Sequence, residues 1–129
     1  MKVKNEIVFN DYFAKAFIKL LKCSFDAEIS MQIVETFSKL NEQQKNIFAV
    51  RDSLLDRFAC KGIDGKIKFT DGSISFKDKN SEEEFIAEMN KLLNLEFEIP
   101  LEEKITLDKK IQISGEEILI LKPVLNVKF

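Results

Sequence analysis

Residues 26–62 read DAEISMQIVETFSKLNEQQKNIFAVRDSLLDRFACKG, and this stretch decides the fold. Apolar side chains at Ile33, Phe37, Leu40, Ile47, Leu54 and Phe58 recur at intervals of three, four and seven. That is the spacing of one face of an α-helix. In heptad terms Ile33, Leu40, Ile47 and Leu54 form one column, and Phe37, Gln44, Arg51 and Phe58 the other. A shorter stripe of Val34, Phe48 and Leu55 widens the face. No glycine or proline interrupts residues 26–61. Ser24 and Asp26 are both suited to cap the start, and Glu28 suits the first turn. Arg57 and Lys61 suit the far end, with Gly62 as the residue just past it. The pattern predicts one helix over about 26–61, roughly 45–50 Å long at 1.5 Å per residue. That is longer than a compact domain of this size is wide. Either the rest of the chain covers its apolar face or a second chain does.

Gln44 and Arg51 interrupt the apolar column. One reading is that the column leaves the core there and both side chains reach water. The other is that they set register or partner choice in a helix–helix interface. On the second reading Gln44, Phe48, Arg51 and Leu55 are the candidate protein-contact residues.

On the N-terminal side, residues 2–8 read as a short strand or an irregular lead-in. A helix over about 10–23 follows, with Phe13, Phe17, Leu20 and Leu21 on one face and Asn10 or Asp11 as its cap. A turn at residues 24–25 then makes an antiparallel helical hairpin of unequal arms. The first arm, about 20 Å long, spans less than half of the second.

Beyond Gly62 the period changes from helical to alternating. Ile67 and Phe69, then Ile74 and Phe76, alternate with polar residues around Asp71-Gly72, the preferred pair of a two-residue type I′ turn. This predicts a β-hairpin over 66–77 that pairs Phe69 with Ile74 and Ile67 with Phe76. Ser81-Glu82-Glu83-Glu84 reads as a capping box opening a third helix over 81–93. Leu95, Phe97 and Ile99 alternate with Glu96 and Glu98 as a half-buried strand ended by Pro100. Residues 105–107 and 111–113 read as strands, or as a strand and a turn. Ser114-Gly115-Glu116-Glu117 repeats the capping-box pattern and opens a short helix through Leu121, ended by Pro123; residues 124–129 close the chain as a strand. The fold class is therefore α+β, a single domain with a helical half (1–62) and a β-rich half (63–129). Its sheet is expected to be small and mostly antiparallel.

The chain has 129 residues, 45% hydrophobic and 33% charged, with net charge −2. Twelve phenylalanines supply a core large enough for independent folding. The charge balance is far from the basic footprint of most nucleic-acid binders. No apolar run reaches about 18 residues, so no membrane span is expected. Cys23 and Cys60 fall at opposite ends of the helical hairpin, too far apart for a disulfide, whose Cα atoms lie within about 7 Å. Two reduced thiols and a cytoplasmic location are expected.

Catalytic chemistry is hard to build from these residues. With no histidine, the usual general base, the Ser-His and Cys-His pairs and most zinc sites are excluded. Phosphate-binding glycine loops and C-x-x-C pairs are missing. Asp64, Asp71 and Asp78 lack calcium-loop spacing, and Glu82, Glu83 and Glu84 fit the first turn of a helix. No catalytic, metal or cofactor residue is assigned. Arg57, Lys61, Lys66 and Lys68 form a modest basic patch suited to phosphate contacts, or to protecting a solvated hairpin edge.

In segment order the chain resembles a family of small proteins encoded by temperate phages and prophages. The similarity lies in Lys4-Asn5-Glu6-Ile7-Val8, in the long helix over 29–58 with its Arg51, Leu54 and Phe58 close, and in Leu92-Leu93-Asn94-Leu95-Glu96-Phe97-Glu98-Ile99 followed by Ile105. It continues in Ile113-Ser114-Gly115-Glu116-Glu117-Ile118-Leu119 with Pro123. The family carries no established activity, so no functional residue transfers. The resemblance implies a mobile-element protein acting in a bacterial cytosol. The expectation is a non-catalytic protein that binds another protein. It would inhibit a host defence complex such as a CRISPR effector, or assist assembly. The alternatives are a structural homo-oligomer and, less favoured, a nucleic-acid-binding factor.

Overall fold

A computed structural model describes residues 1–108 and 113–128. The long helix, α3, spans Ala27–Phe58, capped by the Asp26 carboxylate, which accepts from the Ile29 amide at 2.9 Å. It buries Ile33, Thr36, Leu40, Ile47, Leu54, Leu55 and Phe58. Its end is three residues earlier than the expected 61, just before Gly62. Ala59 is already extended (ψ 152°), because residues 59–61 find backbone partners in the hairpin that follows. Val34, assigned to the widened apolar face, is instead 50% exposed.

Before α3 the chain makes a strand and two helices. Strand β1 (Lys2–Lys4) pairs antiparallel with β4 (Glu96–Glu98) in the register Lys2↔Glu98, Val3↔Phe97, Lys4↔Glu96. Opposite charges therefore flank one apolar pair, an arrangement that favours this register. A short helix α1 (Glu6–Phe9) was not expected; the lead-in is a strand followed by a helical turn. Helix α2 (Asp11–Leu21) is capped by Asn10 and buries Phe13, Ala16, Phe17 and Leu20, one face at spacings of three and four. It runs antiparallel to α3. Phe17 stacks on Phe37 at 5.7 Å between ring centres, and Phe9 meets Phe48 at 5.6 Å. Helix α2 thus covers the first half of α3, and α1 lies just past its middle.

The second half is covered by α4 (Lys79–Asn94), which packs back along α3 and brings Leu92 into the main core. Its N-cap is Asp78 rather than Ser81. The Asp78 carboxylate accepts from the Ser81 amide at 2.6 Å, so Ser81 lies inside the first turn and its capping box does not form. After α4, Leu95 is 59% exposed, whereas Ile99 is buried as the alternation predicts.

Among the described residues the strands form three separate pairs rather than one sheet: β1–β4, the hairpin β2 (Phe69–Thr70) with β3 (Ser73–Ile74), and β5 (Ile105–Asp108) with β6 (Leu125–Lys128). The last pair is parallel, with Ile105 opposite Leu125 and Leu107 opposite Val127. A parallel pair needs a crossover. This one carries helix α5 (Gly115–Ile120), opened by the expected capping box of Ser114 and Glu117. Of the segment 111–113, only Ile113 lies within the described residues; it sits in a bend and packs against the core.

Asn5 ties these parts together. It is 2% exposed. Its Nδ2 donates to the Leu92 carbonyl at 2.8 Å and its Oδ1 accepts from Gln43 Nε2 at 2.8 Å. Its backbone amide donates to the Leu95 carbonyl, also at 2.8 Å. One residue of the N-terminal segment thus fixes the end of α4 against the middle of α3. Asn5→Ala removes the 2.8 Å bond to the Leu92 carbonyl and leaves Gln43 Nε2 without its partner, and should lower unfolding free energy by about 2 kcal/mol in urea titrations, with an unchanged slope. Thr36 is the converse case. It is fully buried and its hydroxyl has no hydrogen-bond partner. Thr36→Val should stabilise by about 1 kcal/mol in the same assay, because it removes an unpaid desolvation cost.

The caps carry a pH dependence. Hydrogen bonds from Ser81 hold the Asp78 carboxyl below its usual value. Those from the Ser114 amide and from Lys19 do the same for Glu117. A lowered folded pKa gives stability that is present above the unfolded value of about 4 and is lost as pH falls through the folded value. The melting-temperature gap between wild type and Asp78→Ala should therefore be full at neutral pH and shrink as pH falls below about 4.

Candidate functional site: an exposed arm and an acidic groove

Residues 59–77 leave the end of α3 as an arm. The three extended segments in it meet in a closed ring of backbone hydrogen bonds. Cys60 donates to the Ser75 carbonyl at 2.8 Å, Ser75 to Lys68 at 2.9 Å, and Lys68 back to Cys60 at 2.9 Å. Segment 59–61 thereby enters between the hairpin strands at their base, with bridges Ala59↔Phe76 and Lys61↔Ile67. The expected Ile67–Phe76 pairing is displaced for this reason, while Phe69↔Ile74 forms as expected. At the tip, Asp71 (φ 52°) and Gly72 (φ 80°) are both left-handed, as a type I′ turn demands. The second turn closes with the Gly65 amide on the Gly62 carbonyl at 3.0 Å and the Asp64 carboxylate accepting from the Lys66 amide at 3.0 Å.

One side of the arm is anchored. Phe76 packs on Phe85 of α4 at 5.3 Å, and Lys77 Nζ donates to the Arg57 carbonyl at 3.0 Å. The other apolar residues are not covered. Ile63 is fully exposed and Phe69 is 63% exposed. The sequence pattern sets Phe69 with Ile67 on one face of the hairpin and passes over Ile63. The available signal was a lone isoleucine between two closely spaced glycines, Gly62 and Gly65. Six basic residues (Arg57, Lys61, Lys66, Lys68, Lys77, Lys79) against three acidic ones (Asp64, Asp71, Asp78) give residues 57–79 a net +3 within a chain of net −2.

The four basic residues singled out for phosphate contact do not converge. Lys61 is paired with Asp56 at 3.3 Å. Cross-strand partners share a face, so Lys61 lies on the Ile67 side of the ribbon while Lys66 and Lys68 lie on the opposite side. The Arg57 guanidinium lies 4.9 Å above the Phe58 ring.

The candidate contact residues on α3 are largely engaged within the chain. Gln44 Nε2 donates to the Val8 carbonyl at 3.3 Å, so it joins α3 to α1. Leu55 is buried, and Phe48 is half-buried against Phe9. The Arg51 guanidinium caps the Phe48 ring at 4.7 Å and reaches Asp52 at 3.7 Å.

On the N-terminal half of α3 lies an open groove of about 530 Å³. Val34, Ile99 and Pro100 supply apolar lining; Glu35, Glu42 and Glu98 supply acid, against the single base Lys39. Glu42 is bridged to Lys39 at 3.5 Å, and Glu98 to the Met1 amino group at 3.0 Å. The groove residues were absent from the expected site. They come from segments more than fifty positions apart, brought together where Ile99 packs into the core beside Ile33 and Leu40.

Among the described residues no group of three or more His, Cys, Asp or Glu side chains is placed to hold a metal ion. Both cysteines are free and half-buried. No described helix is long and apolar enough to cross a membrane. The displaced carboxylates Asp78 and Glu117 owe their shifts to helix capping and an ion pair. Comparison with protein-family models, curated proteins and solved structures found no match.

Proposed function

We propose that this chain is a non-catalytic protein-binding protein whose contact element is the arm at residues 59–77. The observation that carries the reading is the exposure of Ile63 and Phe69 amid basic residues, on a ribbon held rigid at its base. Exposed aromatic and aliphatic side chains with a polar rim are the usual anchors of protein interfaces. A rigid ribbon presents them with little ordering cost. The basic excess favours an acidic partner surface. Nucleic acid is the weaker reading because the lysines are divided between the two faces of the ribbon.

The resemblance to phage and prophage proteins extends the proposal to a bacterial cytosol, for which two free thiols are suited. Within that setting the role is inhibition of a host defence complex, such as a CRISPR effector, or assistance to assembly. The test is affinity capture from a bacterial lysate, with Phe69→Asp and Ile63→Asp as paired controls of unchanged circular dichroism. A partner retained by wild type should be lost at least about tenfold by either variant, as for truncation of an interface anchor. Equal retention by all three proteins refutes the arm as contact element. Salt-dependent binding to single-stranded oligonucleotides that Phe69→Asp abolishes would favour the nucleic-acid reading.

A further inference from the structure

The solvent face of α3 has an order of its own. Glu35, Ser38, Glu42, Lys45, Ala49, Asp52 and Asp56 recur at alternating spacings of three and four, and all are exposed. They form one straight seam on the helix. The acidic groove opens at one end of this seam, at Glu35, Ser38 and Glu42. The arm is tied to the other end, where Asp56 holds Lys61 at 3.3 Å. Groove and arm base are about 20 residues apart on the helix, or about 30 Å. They are also opposite in charge.

We propose that a second copy of this chain occupies the seam. The two α3 helices pack antiparallel about a two-fold axis at Ala49, so that the arm of each copy enters the acidic groove of the other. The proposal rests on the reading of the arm as a protein-contact element. Three features support it. First, an antiparallel pairing centred on Ala49 sets Lys45 against Asp52 of the other copy, twice by symmetry. It sets Glu42 near Asp56, each already bearing its own cation, Lys39 or Lys61. Second, the smallest side chain of the seam lies on the axis, where the helices approach most closely. Third, the basic, apolar arm meets a groove of apolar lining and acidic rim. A reciprocal exchange of this kind closes on itself, so assembly stops at two.

Charge reversal tests it. Wild type should sediment as a dimer at micromolar concentration, with an affinity that falls as salt rises. Lys66→Glu with Lys68→Glu, and separately Glu35→Lys with Glu42→Lys, should each weaken dimerisation by about tenfold or more. All four residues are exposed, so circular dichroism should be unchanged. Mixing the two reversed proteins should restore pairing as a heterodimer, and so should placing all four reversals in one chain. A monomeric wild type, a dimer indifferent to both reversals, or a ladder of species beyond the dimer overturns the proposal. If wild type is monomeric while capture of another protein still depends on Phe69, self-association alone fails. If Phe69→Asp changes neither, the arm itself is not a contact element.

Discussion

The buried amide of Asn5 is the constraint on which the rest of the structure depends. A helix of 32 residues has an apolar face that no single neighbour of ordinary length can cover. This chain covers it with neighbours in series, α2 along the first half, α1 just past the middle and α4 along the second. The coverings overlap where Asn5 bridges Gln43 of α3 and the Leu92 carbonyl of α4. A buried polar group is costly unless each of its bonds is made. Asn5 therefore admits one arrangement of the three segments and penalises the alternatives.

That arrangement settles the accounting raised by the helix's length. The buried column runs from Ile33 to Phe58 without an uncovered interval. The polar interruptions within it are part of the fit. Gln44 bonds to the Val8 carbonyl, and Arg51 lies on Phe48. A partner is not needed to hide apolar surface on that face. What remains outside is the arm, and its exposure follows from where α3 stops. Residues 59–61 complete a three-way backbone ring, which lifts the hairpin tip away from the main core.

The elements legible in the sequence were those with a local cause. Helical periodicity gave α3 and α2, Asp71-Gly72 gave the hairpin tip, and Ser114 with Glu117 gave the start of α5. Misreadings occurred where two local signals competed and a distant contact chose between them. Gly62 is a sound helix terminator, but backbone pairing with residues 66–77 ended α3 at Phe58. Ser81 is a sound cap, but Asp78 three residues earlier is equally so, and the strand exit at Lys77 brings it first. Alternation made Leu95 look half-buried and set Phe69 on an apolar face, since period two marks a face without saying whether anything covers it. The groove was invisible for a different reason. Its seam on α3 is polar and leaves no hydrophobic period, and Glu98 and Pro100 reach it from a segment more than fifty positions away.

The central claim is that the chain covers its own long helix. Amide hydrogen exchange measured residue by residue, on dilute protein without any partner, tests it most directly. The account predicts protection near the global unfolding limit for α3 amides from Ile33 through Phe58, with faster exchange confined to the hairpin tip around Asp71 and Gly72. Rapid exchange of the helix beyond Gln43, with protection retained before it, would contradict the account and show that the second half of α3 waits for another chain.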